Sequence, residues 1–307
     1  MSIRFSVIIP LYNKEAEIEG TIRSVLAQTV TPLEIVVVDD GSTDRSAEKV
    51  RAIDSPIVRL ITQSNAGECA ARNRGIAESQ GEYIALLDAD DSWEPQFLAE
   101  IASLIEEFPG CGLYATGFNI VRNEGRFPGL SPERRGIVAD FFRESMTRYV
   151  ATASSSVVPS EIFRKEGGFP DGMRMGGDQF MWIKIARHWP VCFSPRRLAN
   201  YNVAASNRSP GLYRTEDTPY SFRDLCEPGR FWQNEFIARV ELGRALIISA
   251  KGGTEEAREI EQFHRHNRYS RRTWIKLRIL NRLPASWRWP LLRLYNLIAW
   301  KVARKGL

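Results

Sequence analysis

Short apolar runs alternate with helical patterns along the first part of the chain. Residues 5–10, 34–38 and 83–87 are almost continuously apolar, as in strands that are covered on both faces of a sheet. Between the first two runs, apolar residues recur at three- and four-residue spacing in 18–26, which predicts a helix. Strands that alternate with helices in this way predict an α/β fold with a doubly wound sheet.

The pattern weakens in residues 119–148, which are rich in Pro, Gly and Arg and predict loops and a short helix. Residues 200–230 carry many Ser, Asn, Arg and Pro and predict a mobile lid or an acceptor-binding loop. From Phe231 onward the chain is predicted to be helical. We therefore expect an α/β domain at residues 1–230 and a helical C-terminal extension at 231–307.

Composition indicates a globular protein, with 43% hydrophobic and 26% charged residues. The four cysteines are scattered and form no C-x-x-C pair, which argues against a disulfide framework or a thiolate zinc site. The first apolar run is too short for a signal peptide, and no run reaches the roughly 18 apolar residues of a membrane span. We expect a cytoplasmic location.

The formal net charge of +5 is unevenly distributed. Residues 262–307 contain twelve Lys or Arg and no Asp or Glu, whereas the other residues include 30 basic and 37 acidic ones. A basic, Trp-bearing helix predicts peripheral binding to an anionic surface, here the cytoplasmic face of the inner membrane. A packed helix with a solvated basic face is the alternative. Nucleic acid is not an expected partner, because the rest of the chain is acidic. The predicted apolar stripe comprises Leu291, Leu294, Tyr295, Ile298 and Val302.

Asp88-Ala89-Asp90 follows the apolar run at 83–87. Strand residues at i and i+2 point to the same side, so both carboxylates are expected to converge just beyond the strand end. Carboxylate oxygens suit Mg²⁺ or Mn²⁺, which bind through one or two carboxylates plus substrate phosphates. The alternative is an acidic turn in which Asp91 or Ser92 caps the next helix.

Asp39 and Asp40 end the strand predicted at 34–38, and we expect the two acidic ends to lie on neighbouring strands at one crevice. A carboxylate at this position is suited to accept the imide N–H of a uracil or thymine ring. Tyr12 offers an aromatic face on which the base can stack. Capping of the next helix by Ser42 or Asp44 is the alternative.

Two further residues are candidates for chemistry. Asp178 lies in the first turn of a predicted helix, where the ionised form is favoured, and it suits a general base that removes a hydroxyl proton. A helix cap is the alternative for Asp178. Arg72 lies on the helix predicted at 67–79, where it can contact a diphosphate or be a solvated helical side chain.

Taken in order, these segments resemble the family 2 glycosyltransferases, which have the GT-A fold. The resemblance covers about residues 3–205. Many members have Glu-Asp where this chain has Gly177-Asp178. The matching segments are Ser6–Asn13, Val38–Asp44, Asn65–Gly67, Ala71–Asn73, Leu87–Asp91, Lys165–Phe169 and Gly177–Asp178.

The resemblance implies an inverting enzyme that uses a UDP-, dTDP- or GDP-sugar, with a UDP-sugar favoured, and Mn²⁺ or Mg²⁺ at the D-x-D segment. It implies that 1–118 bind the nucleotide sugar, that 119–230 bind the acceptor, and that Asp178 is the base. The predicted metal ligands are Asp88 and Asp90. The predicted donor site comprises Pro10, Tyr12, Glu15, Asp39, Asp40, Arg72 and Asp88.

The Gln-x-x-Arg-Trp signature of processive synthases is absent from the sequence, so we expect a single addition of sugar. The expected acceptor is a hydroxyl of a lipid-linked glycan in cell-surface polysaccharide assembly. One alternative is a sugar nucleotidyltransferase, which would normally carry a Gly-rich basic loop where this chain has Leu11–Lys14. Another is a non-catalytic sugar-nucleotide-binding module, which the presence of Asp88, Asp90 and Asp178 disfavours.

Overall fold

The computed structural model describes residues 3–173, 176–206 and 220–304, with side chains as far as Leu294. The described residues form two compact units, one from residue 3 to 206 with Tyr220 and the other from Ser221 to 304. The strands are β1 (Phe5–Leu11), β2 (Glu34–Asp39), β3 (Val58–Thr62), β4 (Tyr83–Leu86), β5 (Ser92–Trp93), β6 (Leu113–Arg122), β7 (Gly125–Pro128), β8 (Gly136–Ile137), β9 (Ser156–Pro159) and β10 (Val191–Asn202). The helices are α1 (Ile18–Leu26), α2 (Ser46–Arg51), α3 (Glu68–Glu78), α4 (Phe97–Glu107), α5 (Phe141–Ser145), α6 (Ser160–Glu166), α7 (Gly177–Ala186), α8 (Phe231–Ala250), α9 (Thr254–Phe263), α10 (Arg271–Leu280) and α11 (Ala285–Arg304).

The sheet of the first unit begins with four parallel strands in the order β3-β2-β1-β4. Every residue of β1 and β2 is buried, which explains their continuously apolar sequences. Because β1 lies between β2 and β4, the two acidic strand ends flank β1, and the prediction that they end neighbouring strands is wrong. The carboxyl ends of β1, β2 and β4 still meet at one edge of the sheet.

The other half of the sheet is mixed. β9 pairs antiparallel with both β4 and β6, and β10 pairs parallel with β6. β6 continues to Arg122 and forms a hairpin with β7, where we predicted loops. β10, which the hydrophobic pattern did not indicate, is a strand of the same sheet, and its edge carries β5.

Helices cover both faces of the parallel strands. α3 approaches β1 so closely that a Cβ on Gly75 would lie 2.5 Å from Cγ2 of Ile8, so only glycine allows this contact without a shift. On the opposite face, Val7 of β1 packs with Ile22 of α1 and Ile101 of α4 in one buried apolar cluster. α3 is thereby held firmly against the strand that lies between the two acidic strand ends.

The second unit is helical, as predicted for the C-terminal part of the chain. Leu242 of α8 and Leu277 of α10 belong to one buried apolar cluster, together with residues of α9. Arg288 of α11 is buried and donates to the carbonyl oxygen of Leu283 at 2.9 Å. Part of the basic segment at 262–307 therefore contributes to this core. Within the described ranges, no helix combines the length and the apolarity needed to cross a bilayer.

Candidate functional site

The D-x-D segment follows β4 and pairs with two cationic side chains. Arg72 Nη2 donates to Asp88 Oδ1 at 2.6 Å, and Lys14 Nζ donates to Asp90 Oδ2 at 2.7 Å. The two carboxyl side chains are partly exposed, 26% for Asp88 and 17% for Asp90. A ligand can therefore reach both carboxylates from solvent.

Asp91 is a buried structural residue. Its Oδ2 accepts from Ser154 Oγ at 2.5 Å and its Oδ1 from the backbone N–H of Asn202 at 2.8 Å, so it joins β4 to the end of β10. Burial raises the pKa of Asp91 well above its ordinary value, and the charges of Asp88 and Asp90 add to this. The helix-capping alternative for this segment is wrong, because Ser92 lies in β5 and α4 begins only at Phe97.

Asp40 is buried and organises the beginning of α3. Its carboxylate accepts from the backbone N–H groups of Ala66 and Gly67 and from Gln63 Nε2, each at 2.8 Å. Asp39 Oδ1 accepts from Ser42 N–H at 3.0 Å. A carboxylate has about four lone-pair sites, and these three hydrogen bonds use three of them. The Asp40 carboxylate can therefore accept from one further donor.

The loop after β1 is bonded to the turn after β2. Asn13 adopts a positive φ of 50°, and its side-chain oxygen accepts from Thr43 N–H at 2.7 Å. Glu15 accepts from Arg45 N–H at 2.9 Å, so the structure shows Glu15 holding this turn. Tyr12 is 44% exposed beside these contacts. The ring of Tyr12 is therefore accessible for stacking, while Pro10 is buried within β1.

Arg72 is buried, and its interpretation as a solvated helical side chain is wrong. Its Nη2 bonds both Asp88 and Glu68, which precedes it by one helical turn, and its guanidinium lies 5.3 Å from the centre of the Phe169 ring. Arg72 Nε is buried and has no hydrogen-bond partner among the residues that the structure describes.

Glu68 is a site residue that the sequence analysis missed. The Glu68 side chain is half exposed, but partial loss of water raises its pKa against the lowering effect of Arg72, and the charges of Asp88, Asp178 and Asp90 raise it further. The available signal was the four-residue spacing between Glu68 and Arg72, which brings the two side chains onto one helix face.

Asp178 is the second residue of α7 and belongs to the same cluster. Its Oδ1 accepts from the N–H of Gln179 at 2.8 Å, and it is not the capping residue, which is Gly176. Burial raises the pKa of Asp178, and the opposing effect of the Arg72 guanidinium is smaller. The pKa therefore lies above its ordinary value. The helix N-terminus therefore does not lower the pKa of Asp178 overall, because loss of water has the larger effect.

The D-x-D carboxylates fit a divalent cation whose other ligands come from a substrate. They are hard oxygen donors, partly exposed and already matched to positively charged nitrogen atoms. In the described ranges, no group of three or more Asp, Glu, His or Cys side chains is placed to hold a metal. Two carboxylates are nevertheless enough when substrate phosphates complete the coordination of Mg²⁺.

Comparison with known proteins agrees with this geometry. Residues 6–156 match the family model "Glycosyl transferase family 2". The chain is 44% identical over 106 residues to the uncharacterized glycosyltransferase YibD of Escherichia coli (strain K12), a match that covers 34% of this chain and 31% of YibD. It is 35% identical over 123 residues to the putative teichuronic acid biosynthesis glycosyltransferase TuaG of Bacillus subtilis (strain 168), covering 39% of this chain and 48% of TuaG. The chain thus spans about a third to a half of the length of these relatives.

Two solved structures share the fold. S. aureus TarS 1-349 in complex with UDP-GlcNAc has a TM-score of 0.60 and 20% identity, covering 90% of this chain and 79% of that one. The mannosyltransferase PcManGT from Pyrobaculum calidifontis in complex with GDP-Man and Mn²⁺ has a TM-score of 0.53 and 19% identity, covering 94% and 73%. Residues 6–156 therefore belong to glycosyltransferase family 2, and the chain has the GT-A fold.

Proposed function

We propose that this protein is an inverting glycosyltransferase that moves a sugar from a nucleotide diphosphate sugar to an acceptor hydroxyl. The observation that carries this proposal is the position of Asp178. Although 90 residues separate it from Asp88 along the chain, Asp178 lies in the electrostatic cluster that contains Glu68, Asp88 and Asp90. A base candidate thus accompanies the candidate donor site.

The proposed reaction is a single displacement. Asp178 accepts the proton of the acceptor hydroxyl while the oxygen attacks the anomeric carbon, and the bond from that carbon to the diphosphate oxygen breaks. A raised pKa makes Asp178 a stronger base than an ordinary carboxylate. Asp88 and Asp90 would hold Mn²⁺ or Mg²⁺, which offsets negative charge on the departing diphosphate.

The proposed donor site lies at the carboxyl ends of β1, β2 and β4. The exposed ring of Tyr12 supports stacking of a base, and the remaining acceptor capacity of Asp40 supports recognition of an imide N–H. Pro10, Glu15 and Asp39 would support this site through the strand and turn contacts described above. The complexes of TarS with UDP-GlcNAc and of PcManGT with GDP-Man and Mn²⁺ support a nucleotide-sugar donor and a divalent metal.

For the acceptor we propose a lipid-linked glycan of a cell-surface polysaccharide, with residues 1–118 serving the donor, 119–230 the acceptor and 231–307 a separate role. The name of the relative TuaG supports such a pathway. The predicted lid at 200–230 falls partly on residues 207–219, which lie outside the described residues.

We further propose that the protein acts in the cytoplasm and binds an anionic membrane surface through residues 262–307. α10 supports this, because Ile275 and Ile279 point to solvent, 45% and 57% exposed. Exposed arginines flank the two isoleucines, an arrangement suited to anionic lipid. Leu291 and Leu294 of the predicted stripe are also exposed, while Tyr295, Ile298 and Val302 lie outside the described side chains. The flanking arginines are Arg271, Arg272, Arg278 and Arg282.

A donor screen tests the catalytic proposal. The full chain is incubated with a panel of UDP-, dTDP- and GDP-sugars with Mn²⁺, with Mg²⁺ or with EDTA, and nucleotide release is measured. We expect metal-dependent release of a nucleoside diphosphate from one donor class. Release of pyrophosphate would instead indicate a nucleotidyltransferase, and binding without turnover in any mixture would indicate a non-catalytic module.

A further inference from the structure

Each carboxylate of the D-x-D segment is paired with its own cationic side chain. Lys14 comes from the loop after β1 and contacts Asp90, while Arg72 comes from α3 and contacts Asp88. The two contacts, at 2.7 and 2.6 Å, are charge-assisted hydrogen bonds of ordinary length. One carboxylate oxygen of each aspartate is thus in contact with a protein nitrogen atom, which a divalent cation would have to displace.

Each cation also has a second anchor that does not involve the D-x-D segment. Lys14 Nζ donates to the carbonyl oxygen of Ser206 at 2.6 Å, and Arg72 Nη2 bonds Glu68. These anchors would keep both cations at the site after they leave the aspartates. The buried Arg72 Nε lacks a hydrogen-bond partner in the part of the chain that the structure describes.

We propose that Lys14 and Arg72 are exchangeable counter-ions, which neutralise Asp90 and Asp88 before donor binding and transfer to diphosphate oxygens when a divalent cation takes over the carboxylates. The transfer of Lys14 and Arg72 to diphosphate oxygens rests on the proposed function. Their displacement from the two carboxylates by a divalent cation does not.

Exchange predicts opposite effects on two ligands when one counter-ion is removed. The Lys14→Met variant removes the Lys14 contact from Asp90 and removes one cation from the diphosphate. We expect Mn²⁺ alone, measured by paramagnetic resonance of the free ion, to bind about fivefold more tightly than in the wild type. In saturating Mn²⁺, calorimetry should show UDP and GDP binding about tenfold more weakly.

The matched control is Lys165→Met, because Lys165 also pairs with a carboxylate, Glu161 at 2.9 Å, on a helix outside this cluster. It should change neither affinity. Circular dichroism checks that both variants are folded. If Lys14 had a merely structural role, its replacement would weaken the binding of Mn²⁺ and of the nucleotide together. The direction of the change in Mn²⁺ affinity is therefore the decisive readout.

Unchanged or weaker Mn²⁺ binding by Lys14→Met overturns the proposal, and so does a failure of both proteins to bind Mn²⁺. Unchanged nucleotide affinity overturns the transfer to diphosphate. If Mn²⁺ binds more tightly but no donor is turned over in the screen described above, the proposed function fails and the counter-ion role at Asp90 stands.

Discussion

The side chain of Asn73 forms two hydrogen bonds with the backbone of Phe169. Its Oδ1 accepts from the N–H of Phe169 at 2.7 Å, and its Nδ2 donates to the carbonyl oxygen of the same residue at 2.9 Å. The neighbouring backbone is packed so closely that a Cβ on Gly168 would lie 2.3 Å from Asn73 Oδ1. α3 therefore holds the segment that leads to α7.

The same helix contacts each of the other parts of the site. Its first turn is held by Asp40 through Gly67 N–H, and Arg72 reaches Asp88. Cys69 lies against the first residue of α7, where a Cβ on Gly177 would be 2.4 Å from Sγ. We infer that α3 sets the position of Asp178 relative to Asp88.

Replacing Asn73 with Ala should impair catalysis more than donor binding. The variant loses two hydrogen bonds to Phe169 and one to Asp171, which we expect to cost about 1–3 kcal/mol of unfolding free energy. Displacement of α7 should lower kcat at least about tenfold, because small shifts of a catalytic group have large effects. Urea unfolding and transfer kinetics check both. Asn119→Ala, which loses one bond to Asn200 in β10, is the control and should retain kcat. A similar loss of kcat in both variants would argue against a specific role of α3.

The contact between Gly177 and Cys69 predicts a rescue. Gly177→Ala places a methyl group against Sγ and should destabilise the protein by about 1–3 kcal/mol. Cys69→Ala removes that sulfur, so the double variant should recover about 1 kcal/mol relative to additivity. Thermal unfolding of the four proteins gives the coupling energy. Additive changes would show that the two residues do not limit each other.

Asp178→Asn should abolish the proposed base without removing the donor site. We expect a fall of about 10²- to 10⁴-fold in kcat, the usual contribution of a general base, with UDP affinity in Mn²⁺ retained. Asp140→Asn is the matched control, because Asp140 also lies at a helix N-terminus, where it accepts from Arg143 N–H at 3.0 Å. Full activity of Asp178→Asn would exclude the proposed role.

Glu100 predicts a pH dependence of stability. Burial raises the pKa of Glu100, but hydrogen bonds from Arg196, Ser194 and Arg135 outweigh it, so the pKa lies below the ordinary value of 4.5. The stabilisation is present above pH 4.5 and is lost as pH falls through the pKa of the folded state. Glu100→Gln should therefore cost about 1–3 kcal/mol at pH 7 and progressively less as the pH falls below 4.5. Urea unfolding at several pH values tests this, and an equal cost throughout would contradict it.

The exposed isoleucines of α10 predict membrane binding. Replacing Ile275 and Ile279 with Ser removes two apolar contacts without touching the core, because Trp274, Leu277 and Leu280 are the buried residues of this helix. Co-sedimentation with vesicles containing anionic lipid should fall at least about fivefold, and high salt should weaken wild-type binding. The control, Ile53→Ser, changes a partly buried isoleucine of the other unit. Equal sedimentation of the wild type and the double variant would exclude this face of α10.

Local sequence patterns were sufficient to predict the parallel strands and to identify the candidate metal ligands. Continuous apolar runs predicted β1, β2 and β4, because a strand buried on both faces admits few polar residues. The acidic residues at their ends were found because an abrupt change from apolar to charged residues marks a strand end. Asp178 was found from its place at the start of a predicted helix, although desolvation gives it a pKa shift that such a pattern cannot reveal.

The sequence by itself determined which segments form the site, whereas only the tertiary structure decided how their side chains are paired. Lys14 with Asp90, Arg72 with Asp88 and Asn73 with Phe169 join different elements of the fold, and β1 separates the two acidic strands. Such pairs depend on strand order and on the approach of α3 to the sheet. Strand order and helix packing follow from the burial of the whole core, and neither periodicity nor spacing within one segment contains that information.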